Sequence, residues 1–236
     1  MSTNRKPTLL ALLLMSAISF GLIAEAAQKK SNGSVFVTDK GKLNILLDNS
    51  SVGQEEFEII QSGGSWVAKG NSSIKVPGTT PSSVTGNLSL QPDGTPLSYD
   101  WTAQTEKTNS AHVVFSNGVA KMTLQMQGAR PFEQDLTFSS PAVVVLDNNL
   151  YHQYAVLARV YNWSRKGTQN FSVLIPQELT PGTITVTAGG DISSNGKTYE
   201  SLKVVTSDLE VVLYLDNNHR LMRIEVPSAK VTVVRE

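Results

Sequence analysis

The chain has 236 residues, 20 basic and 20 acidic side chains, three histidines and no cysteine. Zero formal charge with no basic stripe counts against nucleic acid or an anionic membrane surface as partner. The missing cysteine excludes a disulfide framework, a thiolate metal site and a cysteine nucleophile, so stability must come from a core that a chain of this length can bury.

Residues 1–26 read as a secretory signal. Arg5 and Lys6 form a basic start, Leu9 to Ala24 an apolar segment, and Ala24-Glu25-Ala26 a cleavage site of the A-x-A kind. The expectation is a mature start at Ala27 and a soluble periplasmic or secreted protein, with no transmembrane segment after cleavage and no lipid-bearing cysteine. Residues 27–42 are polar and basic at their start and are expected to be a flexible N-terminal segment, with one β-rich domain over 43–236.

Strand signals then come in quick succession. Leu43 to Asp48 leads to a turn at Asn49-Ser50-Ser51. In Gln54 to Ile60, Phe57 and Ile59 alternate with Glu56 and Glu58. Gly63-Gly64 turns the chain into Trp66 to Lys69, and Pro92-Asp93-Gly94 makes another tight turn. Leu97, Tyr99 and Trp101 share one face. His112 to Phe115 and Val119 to Met126 flank Asn117-Gly118, a strong hairpin dipeptide. Ala142 to Leu146 is a continuous apolar run, the pattern of a strand covered on both faces.

Only after that run does apolar spacing lengthen toward 3.6. Leu150, Tyr154, Leu157 and Tyr161 stack on one helical face, and Val156, Val160 and Trp163 form a second stripe beside it. The spacing predicts one helix over 148–166, capped by Asp147 or Asn148 and stopped by Gly167, with apolar surface on more than one side. His152 and Arg159 fall on its polar arc. Beyond Gly167, Phe171 to Ile175 resumes the strand pattern and Pro176 to Gly182 reads as a long crossing loop. Val211 to Leu215 and Leu221 to Val226 pair around Asp216-Asn217-Asn218-His219, and Val231 to Val234 closes the chain. About a dozen short strands and one helix point to an antiparallel meander in a sheet too large to stay flat.

Catalytic patterns are missing. No HxH, HxxxH or HExxH spacing links His112, His152 and His219, each of which reads as a surface residue. Asp191 to Gly196 begins like a calcium loop, but position twelve is Leu202 rather than a bidentate Glu, and a hairpin explains the same residues. There is no GxSxG and no phosphate-cradling glycine loop. Glu55 and Glu56 must point to opposite faces of a strand and cannot act on one bond. No metal, cofactor or catalytic residue is therefore expected. The remaining candidates are apolar and aromatic: Tyr154, Leu157, Tyr161 and Trp163 of the helical segment, with Trp101 of the sheet. These either line an apolar cavity or simply form core.

Three stretches carry a resemblance. Val52-Gly53-Gln54-Glu55-Glu56-Phe57-Glu58-Ile59, Asp93-Gly94-Thr95-Pro96-Leu97-Ser98-Tyr99, and Leu213-Tyr214-Leu215-Asp216 with Arg220-Leu221-Met222-Arg223-Ile224-Glu225 together resemble segments of a widespread group of secreted bacterial proteins of unknown function. That group is similar to the periplasmic lipoprotein-carrier half-barrels. The resemblance implies a mainly β fold, a large curved antiparallel sheet forming a half-barrel or open barrel, with one long helix packed in its concave face where the carriers have several. It transfers no catalytic residue. The expected function is that of a non-enzymatic envelope protein that binds a lipid-like ligand, or an envelope protein partner, on the concave face. A structural or assembly role without a small-molecule ligand is the alternative, and hydrolysis of an envelope polymer a third reading.

Overall fold

Period-two alternation runs through nearly the whole chain, and it builds one sheet. The computed structural model describes residues 33–194 and 196–236; the expected signal and the start at Ala27 lie outside these. The first half of the chain supplies β1 (Asp39–Leu47), β2 (Ser50–Ser62), β3 (Ser65–Ile74), β4 (Ser82–Leu90), β5 (Pro96–Gln104), β6 (Thr108–Ser116), β7 (Val119–Met126), β8 (Phe132–Thr137) and β9 (Val143–Val145). After helix α1 (His152–Val160) come β10 (Thr168–Ile175), β11 (Thr180–Ser194), β12 (Lys197–Val205), β13 (Glu210–Leu215), β14 (Leu221–Val226) and β15 (Val231–Arg235).

The order across the fifteen-stranded sheet is β8-β7-β6-β5-β4-β3-β2-β1-β15-β14-β13-β12-β11-β10-β9. The first and last strands pair in its middle, with Ile45 opposite Val233, and the chain meanders outward on both sides. Every neighbouring pair is antiparallel except β9 with β10. The two edges are consecutive in sequence, so the segment from β8 to β9 must join them. The sheet accordingly curls until β9 lies against β5 and β8 against β11, and Ser139 Oγ comes within 3.4 Å of Ser172 Oγ. β9 is therefore buried along its length although it is an edge strand, which accounts for the unbroken valine run. The expected mainly β architecture is the one observed: a large open sheet, almost wholly antiparallel, with one α-helix among the described residues.

Several expectations change in detail. Part of the segment expected to be flexible is folded: Phe36 is buried and packs 5.6 Å from Trp66 between ring centroids, and Val35 N–H donates to the Pro92 carbonyl. β1 begins at Asp39, whose buried carboxylate meets Arg235 at 2.6 Å. These contacts to distant residues are what a polar local composition does not reveal. The expected crossing loop after Ile175 is instead a single 3-10 turn (Pro176–Glu178) closed by Leu179 in the left-handed conformation, since β10 and β11 are neighbours.

The helix is shorter than its apolar spacing suggested, nine residues rather than nineteen. At its end, the Ala158 carbonyl that a continuing turn would give to the Asn162 amide accepts from Trp163 Nε1 at 2.9 Å. The Asn162 amide donates instead to Gln169 Oε1 at 3.0 Å. Tyr161 is extended, and Gly167 has φ +69 but turns a loop rather than ending the helix. The helix is nonetheless enclosed on more than one side, as its two stripes required: Leu150, Ala155, Val156, Leu157, Ala158 and Tyr161 are all buried, and α1 lies against β3 and β14. No helix among the described residues is long and apolar enough to cross a membrane.

Candidate ligand-binding site

The site depends on how the N-terminus of α1 is seated. Helix amides in the first turn lack partners within the helix, and here no side chain of the preceding residues caps them. Glu55 of β2 does so from across the fold. Its carboxylate accepts from Tyr151 N at 2.7 Å and His152 N at 3.3 Å, and from His152 Nδ1 at 2.5 Å. Both side chains have 0% exposure. A negative charge at this end also complements the helix dipole. His152 is thus a buried residue, hydrogen-bonded through Nδ1 to the Glu55 carboxylate, and not the surface histidine expected of its polar arc. Glu55 is in phase with Phe57 and Ile59 on the inner face, a placement the alternation already contained, whereas Glu56 points outward to Lys42.

Two glycines make room for this seat. Across β2 to β5, Phe57, Gly70, Gly86 and Trp101 stand side by side. A Cβ on Gly70 would overlap His152 Nδ1 and sit 2.6 Å from Glu55 Oε1; one on Gly86 would come within 2.6 Å of Leu150 Cδ1 and 2.8 Å of Tyr99 Oη. The missing side chains form a trough into which the helix entrance sinks.

Beside it lies a second buried polar cluster. Asp147 accepts from Tyr99 Oη–H at 2.6 Å and from Gln177 Nε2. Its own amide donates to Gln153 Oε1, while Gln153 Nε2 donates to Tyr99 Oη at 3.2 Å. Asp147 therefore anchors the turn before the helix rather than capping it. Burial raises its pKa to about 6, against the opposing pull of the Tyr99 and Gln177 hydrogen bonds. Trp101 Nε1 has no hydrogen-bond partner yet still weakly favours the ionised carboxylate.

A carboxyl whose pKa rises on folding binds its proton more tightly in the native state. Its contribution is most favourable below the unfolded value, near 4, and is lost as pH rises through about 6. We expect the Asp147→Asn variant to lose stability less steeply than the wild type as pH rises from 4 to 6, a differential of about 2 kcal/mol. Denaturant titrations across that range measure it. Parallel curves for the two proteins would show that Asp147 titrates normally.

On the outer side of Asp147 a cleft of about 310 Å³ opens between the helix entrance, β9 to β11, and the turn from β12 to β13. Leu146, Val173, Ile175 and Ile184 form its apolar floor with the ring of Tyr154, and Leu209 its lip. Gly182 faces Val173 across β10 and β11; a Cβ there would lie 2.9 Å from Val173 Cγ1, so glycine keeps the floor open. Thr206 shapes the lip: its Oγ1 accepts from the amides of Asp208 and Leu209 at 3.2 and 2.9 Å. Asp147, Glu178 and Asp208 also line the cleft.

The five residues singled out from sequence are thus divided. Tyr154 lines the cleft. Leu157 and Tyr161 are core, and Tyr161 Oη–H donates to the Gly167 carbonyl at 2.5 Å. Trp101 is buried in the glycine trough. Trp163 stacks on His219 at 3.8 Å, at the far end of the helix. Gly182, Asp208 and Leu209 went unmarked because only the β10–β11 and β12–β13 pairings bring them beside the helix. Asp191 to Ser194 lies within β11, in keeping with the hairpin reading of that stretch.

Fold and cleft together define a class: an open, curled sheet of barrel-like form closed over one short helix. A solved structure of the same kind is the β-barrel-like protein of a domain of unknown function, DUF1849, from Brucella abortus, with TM-score 0.56 and 9% identity over 85% of this chain and 95% of that one. A DUF1089 family protein from Pseudomonas aeruginosa is also similar, with TM-score 0.47 and 9% identity over 74% of this chain and 90% of that one. No protein-family model matches the sequence, and no curated protein matches it. At such identity the likeness to the Brucella protein is one of fold alone.

Proposed function

We propose that the protein is a non-enzymatic component of the bacterial envelope that binds a small, largely apolar ligand in the cleft beside Tyr154. The observation that carries this reading is the cleft itself. Its volume, 310 Å³, suits a small-molecule site, about 300–1,000 Å³, but other surface hollows reach 310 to 470 Å³. What sets this one apart is its lining, since those are walled mostly by charged and polar side chains. Its floor is apolar. Behind it, Glu55 and Asp147 hold the helix entrance in place, a structural use of both buried carboxylates. The envelope location follows from the signal read in residues 1–26.

A neutral fluorescent alkyl probe tests the reading. It should bind saturably at one site, and both Gly182→Val, which fills the floor, and Leu209→Trp, which fills the lip, should weaken it at least about tenfold, with melting temperatures confirming that each variant folds. If the wild type takes up no probe, or both variants bind as it does, the cleft is not a ligand site and a purely structural role replaces the binding one.

A further inference from the structure

The charge around the cleft selects among apolar ligands. The chain as a whole is balanced, with 20 basic and 20 acidic residues, yet the cleft is not. Among the described residues, Asp147, Glu178 and Asp208 line it, and no lysine, arginine or histidine does. Glu178 has a partner of its own, so the charge that meets a ligand is that of Asp147 and Asp208. Asp147 sits at the inner end, 6% exposed, where its field is less screened than at a surface. Asp208 is exposed on the lip, held by the Thr206 turn. Between them lies the apolar floor with the Tyr154 ring, whose face attracts cations.

We infer that the cleft takes a cationic amphiphile, an organic ammonium with a short apolar tail, and discriminates against carboxylates such as fatty acids. An alkyl tail on the floor removes apolar area from water, and an ammonium directed toward Asp147 and Asp208 gains attraction where a carboxylate meets repulsion. Fatty-acid cargo, the natural thought for a lipid-carrier-like half-barrel, is the ligand this electrostatic field disfavours. The inference rests on the cleft being a binding site, as proposed above.

Three probes with one tail and different heads separate the two claims: octylammonium, octanoate and 1-octanol, titrated calorimetrically into the full-length exported protein at neutral pH and low salt. Octylammonium should bind on the order of tenfold more tightly than 1-octanol, with octanoate weakest. That preference should shrink with added salt. It should also shrink in Asp208→Asn, whose exposed side chain leaves folding unaffected, while 1-octanol affinity changes little. Equal binding of all three, or tighter binding of octanoate, overturns the charge inference and leaves the cleft as a ligand site. If none of the three binds, the binding reading falls and the inference falls with it.

Discussion

Glu55→Ala will destabilise the protein by about 3–5 kcal/mol, since a buried donor left without its acceptor costs about 1–3 kcal/mol and several lose theirs together, a large part of an ordinary domain's stability. Three donors lose their acceptor at once: the amides of Tyr151 and His152 and the imidazole Nδ1–H of His152. The two His152 donors cannot turn to solvent, because His152 has no exposure and the helix entrance is sunk against Gly70 and Gly86. Glu55→Gln keeps an acceptor oxygen for the amides but removes the charge, so its loss should be clearly smaller. Combining Glu55→Ala with His152→Leu should cost less than the sum of the two single changes, since the double variant buries no orphaned ring nitrogen. The helix amides stay uncapped in it, so recovery will be partial. Urea titrations of the four proteins give the cycle. A loss below about 1 kcal/mol for Glu55→Ala would show that water or another side chain caps the helix.

The same contacts explain why one short helix organises so large a sheet. β1 to β8 and β10 to β15 are two meanders joined along β1 and β15. Glu55 and Gly70 belong to the first, and the helix also lies against β14 of the second. The half-buried Arg159 reaches the Asn218 carbonyl at 2.7 Å, and Trp163 stacks on His219, so the helix C-terminus is tied to the β13–β14 turn. Its two ends thus brace opposite halves of the curl. The cleft exists where this brace stops short, beside the three-residue β9 and the tight β10–β11 turn.

Local pattern was enough to read the strands and the Asn117-Gly118 hairpin, where both turn residues have positive φ, because alternation and turn chemistry act over a few residues. It was enough to read the burial of α1 on two sides. Part of what it misread was set by a partner far along the chain: the helix is capped by a residue 97 positions away. Its other end is set by near neighbours, Trp163 and Gln169, whose side chains take the places of the next helical hydrogen bond in no standard capping pattern. His152 looked solvent-facing because a polar arc on a helix normally is; a buried carboxylate on β2 reverses that. Tyr154 was found through the aromatic stripe, but the rest of the cleft depends on strand order. Asp208 and Leu209, in a turn of ordinary composition, gain meaning only once that turn is placed against Tyr154.

Leu157→Ala should cost about 2–5 kcal/mol, as removal of a fully buried leucine does when the surroundings cannot close over the space. Leu157 has no exposure, and its helix is held at both ends, by Glu55 at the entrance and by Trp163 and Gln169 at the exit, so α1 cannot slide inward to fill the cavity. Leu209→Ala supplies the contrast. That side chain is 42% exposed on the cleft lip, and its loss should stay within about 0.5 kcal/mol. Ligand uptake should respond in the opposite order: Leu209→Ala weakens probe binding without moving the melting temperature, whereas Leu157→Ala lowers the melting temperature and, in the fraction that remains folded, leaves probe affinity near that of the wild type. A Leu157→Ala loss under half a kcal/mol would mean the helix lies at the surface. Normal stability of that variant with abolished uptake would move the ligand from the cleft to the space beneath the helix.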